Sequence, residues 1–400
     1  MFYKLKDLVI ADGGLLRGPF GGDLKKDIFV KKSETSYKVY EQGTVLNKNA
    51  NIGNYYITDD YFKRKMNKFA VLPGDILVSC SGVNYGAIYL LPANCEKGII
   101  NQALLRIRLN TSIIDKHYFC YLWERILSKK ITQSSGDSTI PNFPPLSTIK
   151  ELTIDIPSLM EQKKLIDLPL CTDELIKINN KKIQVLTNKI KDIYAYLFLD
   201  NNAEIKFNDS NPFEKVSLTK NNLCTLIPSG INKFSGNKDY FSTSEVNGNY
   251  YQSSNKNITY NNRESRANME PTAYSVWFAK MKKSIKHIWF GSNSYLQNKI
   301  ILSTGFAGLK CLPFSYSYIW SIINANEWFE KTKDNIATGS TQEAISEKGL
   351  GYITIKCPNE NCLKEYSKII TPLIEEISKL YEQNEQLTHL KYDLLSRLIS

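Results

Sequence analysis

The most restrictive feature of this 400-residue chain is an internal repeat with a period of 201 residues. Sliding the sequence by that interval lays Thr153, Ile154 and Pro157 over Thr354, Ile355 and Pro358. The same shift carries Ile176 onto Ile377, Leu186 onto Leu387, Asp192 onto Asp393 and Leu197 onto Leu398. So long a period indicates duplicated domains rather than a solenoid. Upstream of each copy, "SGDSTI" (135–140) and "TGSTQEAI" (338–345) form a related loop. The plan is globular–helix–globular–helix, over segments 1–150, 151–200, 201–350 and 351–400.

Each repeat opens on a strand that ends at proline, which cannot donate to a sheet ladder. Ser158 and Glu161 then fit a capping box, in which each side chain satisfies a free backbone N–H at a helix start. In the second copy Asn359 takes the capping place and Cys362 replaces the glutamate. The stretch from Asp173 to Leu199 lacks Gly and Pro and reads as one long helix. Ile176, Asn179, Ile183, Leu186, Ile190, Ile193 and Leu197 alternate spacings of three and four, the pattern of a coiled-coil seam. The second seam reads Ile377, Leu380, Asn384, Leu387, Lys391, Leu394 and Leu398. Each holds one asparagine, which sets register if buried and means nothing if exposed. At 1.5 Å per residue such a helix spans about 40 Å, close to one turn of B-DNA.

Charge divides along the same boundaries. Of the net +11, residues 1–150 carry +8 (21 Lys/Arg against 13 Asp/Glu) and residues 201–350 carry +5 (17 against 12). The two helical segments carry −1 each (7 against 8, and 6 against 7). A basic excess confined to two globular segments favours a polyanion, most often nucleic acid. Neutral helices suit a protein partner.

Both globular segments read as mixed α and β. "FAVLPGDILVSCSGVNYGAIYLLP" (69–92) and "NQALLRIRLN" (101–110) are strand candidates, and 114–131 is a helix. In the second segment "TAYSVWFAKM", "NKIILSTGFAGLKCL" and "FSYSYIWSIINANEWFEK" repeat that outline. The fold class is α+β, two mixed domains alternating with two long helices. Candidate DNA-contacting residues are Lys48, Asn49, Asn51, Lys63, Arg64, Lys65 and Lys68 in the first segment. The second contributes Lys233, Lys238, Arg263, Arg266, Lys282, Lys283 and Lys286. Arg, Lys and Asn make bidentate contacts to base edges, and further Lys neutralises phosphate. For any single run, a solvated charged face explains the same composition.

Several chemistries lack their residues. No G-x-x-x-x-G-K-[ST] loop and no G-x-G-x-x-G after a strand occurs, so neither an ATPase nor a dinucleotide pocket is expected. "NFPP" (142–145) has the wrong order for an adenine methyltransferase signature. The eight cysteines form no C-x-x-C and there are three histidines, so no zinc template emerges and the thiols are expected reduced. No apolar run approaches a membrane span or a signal peptide, so a cytoplasmic location is expected.

With "IDIPSLMEQKKLI", "TGSTQEAI", "GDILVSCSG" and "NKIILSTGF" in view, the chain resembles the specificity (S) subunit of a Type I restriction–modification system. Pro157, Glu161 and Gln162 carry the junction motif; Cys362 and Leu363 depart from it in the second copy. The resemblance implies two target recognition domains, each reading half of a bipartite double-stranded DNA site. It implies helices that pack as an antiparallel coiled coil, space the domains and dock two methyltransferase subunits, which restriction subunits would join. Catalytic, metal and cofactor sites would lie outside this chain, with S-adenosylmethionine, ATP and Mg on the partners. A methylation-only system, a related two-part restriction enzyme, and a DNA-binding coiled-coil assembly protein are the neighbouring readings.

Overall fold

The computed structural model describes residues 1–82, 84–128, 131, 143–200, 213–251, 256–292, 297–325, 327–339 and 342–397. The chain divides into two compact units, Met1–Cys171 with Lys391–Ser400, and Thr172–Leu390.

In the first unit, strand Ile76–Ser79 pairs with Leu104–Ile107 at the centre of an antiparallel sheet whose edges are Leu15–Arg17 and Ile88–Leu90. Every residue of the two central strands is buried. Ile76, Val78, Leu105 and Ile107 enter one core while Leu77 and Leu104 enter another on the opposite face. Successive side chains point to opposite faces, so a strand between two cores is written as an unbroken apolar run. The second sheet runs Tyr56–Ile57, Tyr37–Tyr40, Gly98–Ile100, Ala70–Val71, and its middle pair is parallel.

The second unit repeats this topology strand for strand. Cys224–Leu226, Phe306–Cys311, Ser275–Ala279 and His287–Phe290 form the antiparallel sheet. Asn257–Ile258, Lys238–Phe241, Ile300–Ser303 and Ala267–Met269 form the other, again with a parallel middle pair. Val276 and Phe278 face one core, Trp277 and Ala279 the other. The Trp277 ring lies flat on Gly308, where an added Cβ would come within 2.5 Å of it. The duplication inferred from the helices therefore extends through segments whose sequences have diverged. Within "NKIILSTGFAGLKCL" the chain crosses from one sheet to the other between Ser303 and Phe306.

Each unit also has a two-stranded ribbon leading into a long helix. Phe2–Lys4 pairs with Thr153–Asp155, and Glu214–Ser217 with Thr354–Cys357. The helices are longer than the expected 27 residues. Leu159–Tyr194 runs 36 residues through Pro169, and Glu360–Arg397 runs 38 through Pro372. At the first junction the Ser158 N–H and hydroxyl both reach Glu161 Oε2, at 3.0 and 2.7 Å, and Ser158 Oγ accepts from the Glu161 N–H at 3.4 Å. Those hydrogen bonds hold the Glu161 carboxyl below its ordinary pKa. At the second, Asn359 Oδ1 accepts from the Cys362 N–H at 2.7 Å.

Within the second unit the helices run antiparallel: Asn179 meets Asn384, while the ring of Phe198 meets that of Tyr366 at 5.0 Å. Asn179 Nδ2 donates to Asn384 Oδ1 at 3.0 Å, and Asn384 Nδ2 donates to Asn180 Oδ1 at 2.9 Å. Ile183, Ile190, Leu197, Ile377 and Leu380 are buried in the core of this unit, with Leu186 and Ile193 packed against it. Ile176 and Leu387 are half-buried. In the C-terminal turn, Leu394 is half-buried and its neighbour Leu395 enters the core of the first unit. Leu398 lies outside the described residues. All eight cysteines are free thiols, four of them buried. Among the described residues no helix is long and apolar enough to cross a membrane.

Gln162 ties the first junction down. Its amide, wholly buried, donates to Ile113 O at 3.0 Å and Pro157 O at 2.9 Å, while its oxygen accepts from the Asp115 N–H at 2.8 Å. Asp115 in turn caps Lys116–Leu122. Leu363, at the equivalent place, is buried in an apolar core instead. Gln162→Leu orphans three backbone groups and is expected to cost about 2–4 kcal/mol in urea denaturation. A loss below about 0.5 kcal/mol, the scale of an ordinary surface change, would remove the staple role.

Candidate nucleic-acid interface

In the first unit, residues 59–69 wind so that Phe62, Met66 and Phe69 are buried and the intervening basic side chains point outward. Lys63 and Arg64 pair with Asp59 and Asp60 at 2.6 Å each, on an exposed rim where such pairs add little stability. Lys65 lies 5.9 Å from the Tyr61 ring and Lys68 lies 4.9 Å from the Phe69 ring. Neither makes an ion pair among the described residues. Both line a hollow of about 580 Å3 whose other wall is the loop Arg17–Gly21, with Gln102 beside it. The Tyr61 hydroxyl donates to Asp23 O at 2.6 Å, joining the two walls. Lys48 lies in a different concavity, with Tyr85, Gly86 and Ser128, and pairs with Glu124 at 2.9 Å. Near it Asn49 Oδ1 accepts from the Asn51 N–H.

Part of the positive charge of this unit is structural. The Lys38 ammonium is buried against Ala50 O at 2.7 Å, with Glu96 at 3.6 Å. Buried Arg106 donates to Gly13 O, Lys68 O and Ala70 O, holding from beneath the segment that carries Lys68. Arg108 grips Asp75 with two 2.7 Å hydrogen bonds. The net charge of this segment therefore overstates what a ligand would meet.

In the second unit the basic residues concentrate on the hairpin turn 280–286, between strands Ser275–Ala279 and His287–Phe290. Three neighbours fix this turn. Lys282 pairs with Glu343 at 2.7 Å and its N–H donates to Glu343 O. The Lys283 N–H donates to Asp334 Oδ1 at 3.0 Å. The buried Lys333 ammonium donates to Ala279 O and Ser284 O. Lys286 reaches across to Thr243 O. Lys333 is neutralised by Glu330 at 2.5 Å, and Glu330 also meets buried His287 Nε2 at 2.9 Å. Burial raises the Glu330 carboxyl, but the hydrogen bonds from His287 and Lys333 outweigh it and leave its pKa below the ordinary value.

The remaining candidates are scattered. Lys233 and Arg266 are exposed, and Arg263 stacks on Tyr260 at 4.2 Å. Lys238 is a poor contact candidate: its side chain is 13% exposed, pairs with Glu270 at 3.0 Å and covers the Phe234 ring. Glu270 also accepts two hydrogen bonds from Asn232, so this lysine holds a loop in place.

Residues 20–188 match a family described as the Type I restriction modification DNA specificity domain. In Methanocaldococcus jannaschii, the Type I restriction enzyme MjaVIII specificity subunit is 28% identical over 142 residues, 36% of this chain and 32% of that protein. The MjaIX specificity subunit of the same organism is 26% identical over 138 residues, 34% and 31% of the two chains. The match thus spans about a third of the length of these relatives. The crystal structure of a Type I S subunit from M. genitalium shares the fold, with a TM-score of 0.58 over 100% of this chain and 95% of that one, at 15% identity.

Sequence reasoning passed over the Arg17–Gly21 loop, although "RGPFGG" is a turn signal carrying an aromatic residue. It also missed the His287–Glu330–Lys333 cluster, whose members are 43 and 46 residues apart from the histidine. Lys65→Gln and Lys68→Gln should each flatten the salt dependence of duplex binding by about one unit of log–log slope if each meets a phosphate. Lys238→Gln should leave that slope unchanged. Equal effects of all three in a salt titration would remove the distinction. Lys333→Met leaves Glu330 without its ion-pair partner and should cost about 3–5 kcal/mol by thermal denaturation. Because the folded carboxyl is depressed, the stabilisation from Glu330 is present above its unfolded pKa and is lost as pH falls through the folded value, and Glu330→Gln should blunt that acid sensitivity.

Proposed function

We propose that this chain is the sequence-reading subunit of a Type I restriction–modification complex, with segments 1–150 and 201–350 each reading one half of a bipartite duplex site. The carrying observation is that the two units share one strand order yet present different surface chemistry. The first offers a lysine-lined hollow with an aromatic tip, the second a braced lysine-rich hairpin. Two unlike readers on one scaffold are what two unlike half-sites require.

Segments 151–200 and 351–400 set the separation of the readers and bind two methyltransferase subunits. Leu175, Ile178 and Val185 stand between 48% and 58% exposed on the first long helix, outside the seam, at spacings of three and seven. An apolar stripe left outside a helix pair is suited to a protein partner, and we assign it to the methyltransferase subunit. Catalysis then belongs to the partners: S-adenosylmethionine on the methyltransferase, ATP and Mg on any restriction subunits.

Single-molecule methylome sequencing tests this reading in cells co-expressing the chain with its methyltransferase subunit, against cells lacking the chain. A new adenine-methylation motif in two halves with a fixed gap is expected, and exchanging residues 1–150 for a relative's domain should change one half only. A complex that forms but adds no motif would leave an assembly protein; a change in both halves would overturn the two-reader model.

A further inference from the structure

Phe20 is the most exposed large apolar side chain described, at 87%, yet its surroundings are built to hold it still. The preceding Gly18 is pressed against the backbone of residues 101–102, where an added Cβ would lie 1.8 Å from Asn101 O, and its N–H donates to Leu104 O at 2.9 Å. After Phe20, a tight turn over Gly21–Asp23 begins with the Asp23 N–H donating to Phe20 O at 2.9 Å. Leu24 anchors that turn in the core and the Tyr61 hydroxyl holds Asp23 O. Pro19 fixes its own φ just ahead of the phenylalanine. Around Gly22 the space is open. An aromatic ring 87% exposed on a braced tip plays no part in this unit's own core and is placed to stack on a flat ligand.

The rest of the hollow identifies that ligand. Arg17, Lys65 and Lys68 line it, and the Gln102 amide lies beside the loop. Cations flanking a projecting aromatic, with an amide alongside, match a nucleotide: phosphates for the cations, a base for the ring and a base edge for the amide. We propose that Phe20 is a wedge that stacks on a base of the half-site read by the first unit, with Lys65 and Lys68 holding the adjoining phosphates. This rests on the DNA-reading function proposed above. In the second unit the described loop phenylalanine, Phe234, is instead half-buried beneath Lys238 and edge-on to Tyr260. Phe20 belongs to the first unit, so its stacking is expected in the half of the site that this unit reads.

The test uses the full chain in complex with its methyltransferase subunit, and duplexes bearing the methylated motif with 2-aminopurine placed in turn at each adenine position. Wild-type complex should raise 2-aminopurine fluorescence at a step in one half only. Phe20→Ala should abolish that signal and weaken binding about tenfold or more, with Phe20→Trp restoring both. Because Phe20 is exposed, the thermal midpoint should not move. Wild-type complex that fails to bind the duplex would count against the DNA-reading function itself. Wild-type complex that binds, with Phe20→Ala matching it in affinity and fluorescence, would overturn the wedge alone. Loss of methyltransferase association in the absence of DNA would also overturn it, by reassigning Phe20 to a protein contact.

Discussion

Burial of the central strands on both faces is the constraint on which each unit depends. Once Ile76–Ser79 and Ser275–Ala279 lie between two cores, each unit needs something apolar on either side. The second sheet supplies one cover and the helical layer the other. The helices therefore belong to the cores, and this explains why Ile183 and Ile190 share a cluster with Val276 and Phe278. With both broad faces covered, what remains for a ligand is the loops at strand ends. Variation there costs little stability because the fold is secured elsewhere.

That division lets the two units diverge without losing their topology. The first braces its basic segment from below with Arg106; the second braces a hairpin with Lys333, Glu330 and His287. Both spend interior charge to immobilise a surface lysine, and both satisfy that charge with carbonyls or a carboxylate, as burial demands. The junctions show the same freedom: a hydrogen-bonded glutamine in one copy, a packed leucine in the other.

The long-range plan was legible in the sequence because it is written in local signals. Pro157, Ser158 and Glu161 mark a helix start by themselves, and the seam spacing needs only neighbours three and four residues away. Sheet order was not legible. Its strands are two to six residues long, paired across large separations, and buried on both faces so that no alternation betrays them. The basic runs could be found, but not their fates. Whether Lys238 is a contact or a strut depends on Glu270, 32 residues away. Arg108, inside an apolar strand run, looks much like any other positive charge until Asp75 is seen beside it. The seam asparagines, Asn179 and Asn384, fall at non-equivalent places of the two repeats, and antiparallel packing brings them together.

The shared amides of Asn179, Asn180 and Asn384 bear on how sharply the alignment of the two helices is fixed. Asn384 uses its oxygen toward one partner and its nitrogen toward another, so a slipped alignment would strand amides in an apolar seam. Without them, leucine and isoleucine repeats would tolerate sliding by a heptad, a step of about 10 Å, or three base pairs of DNA. With them, one alignment is singled out, and no neighbouring register lies close to it in energy.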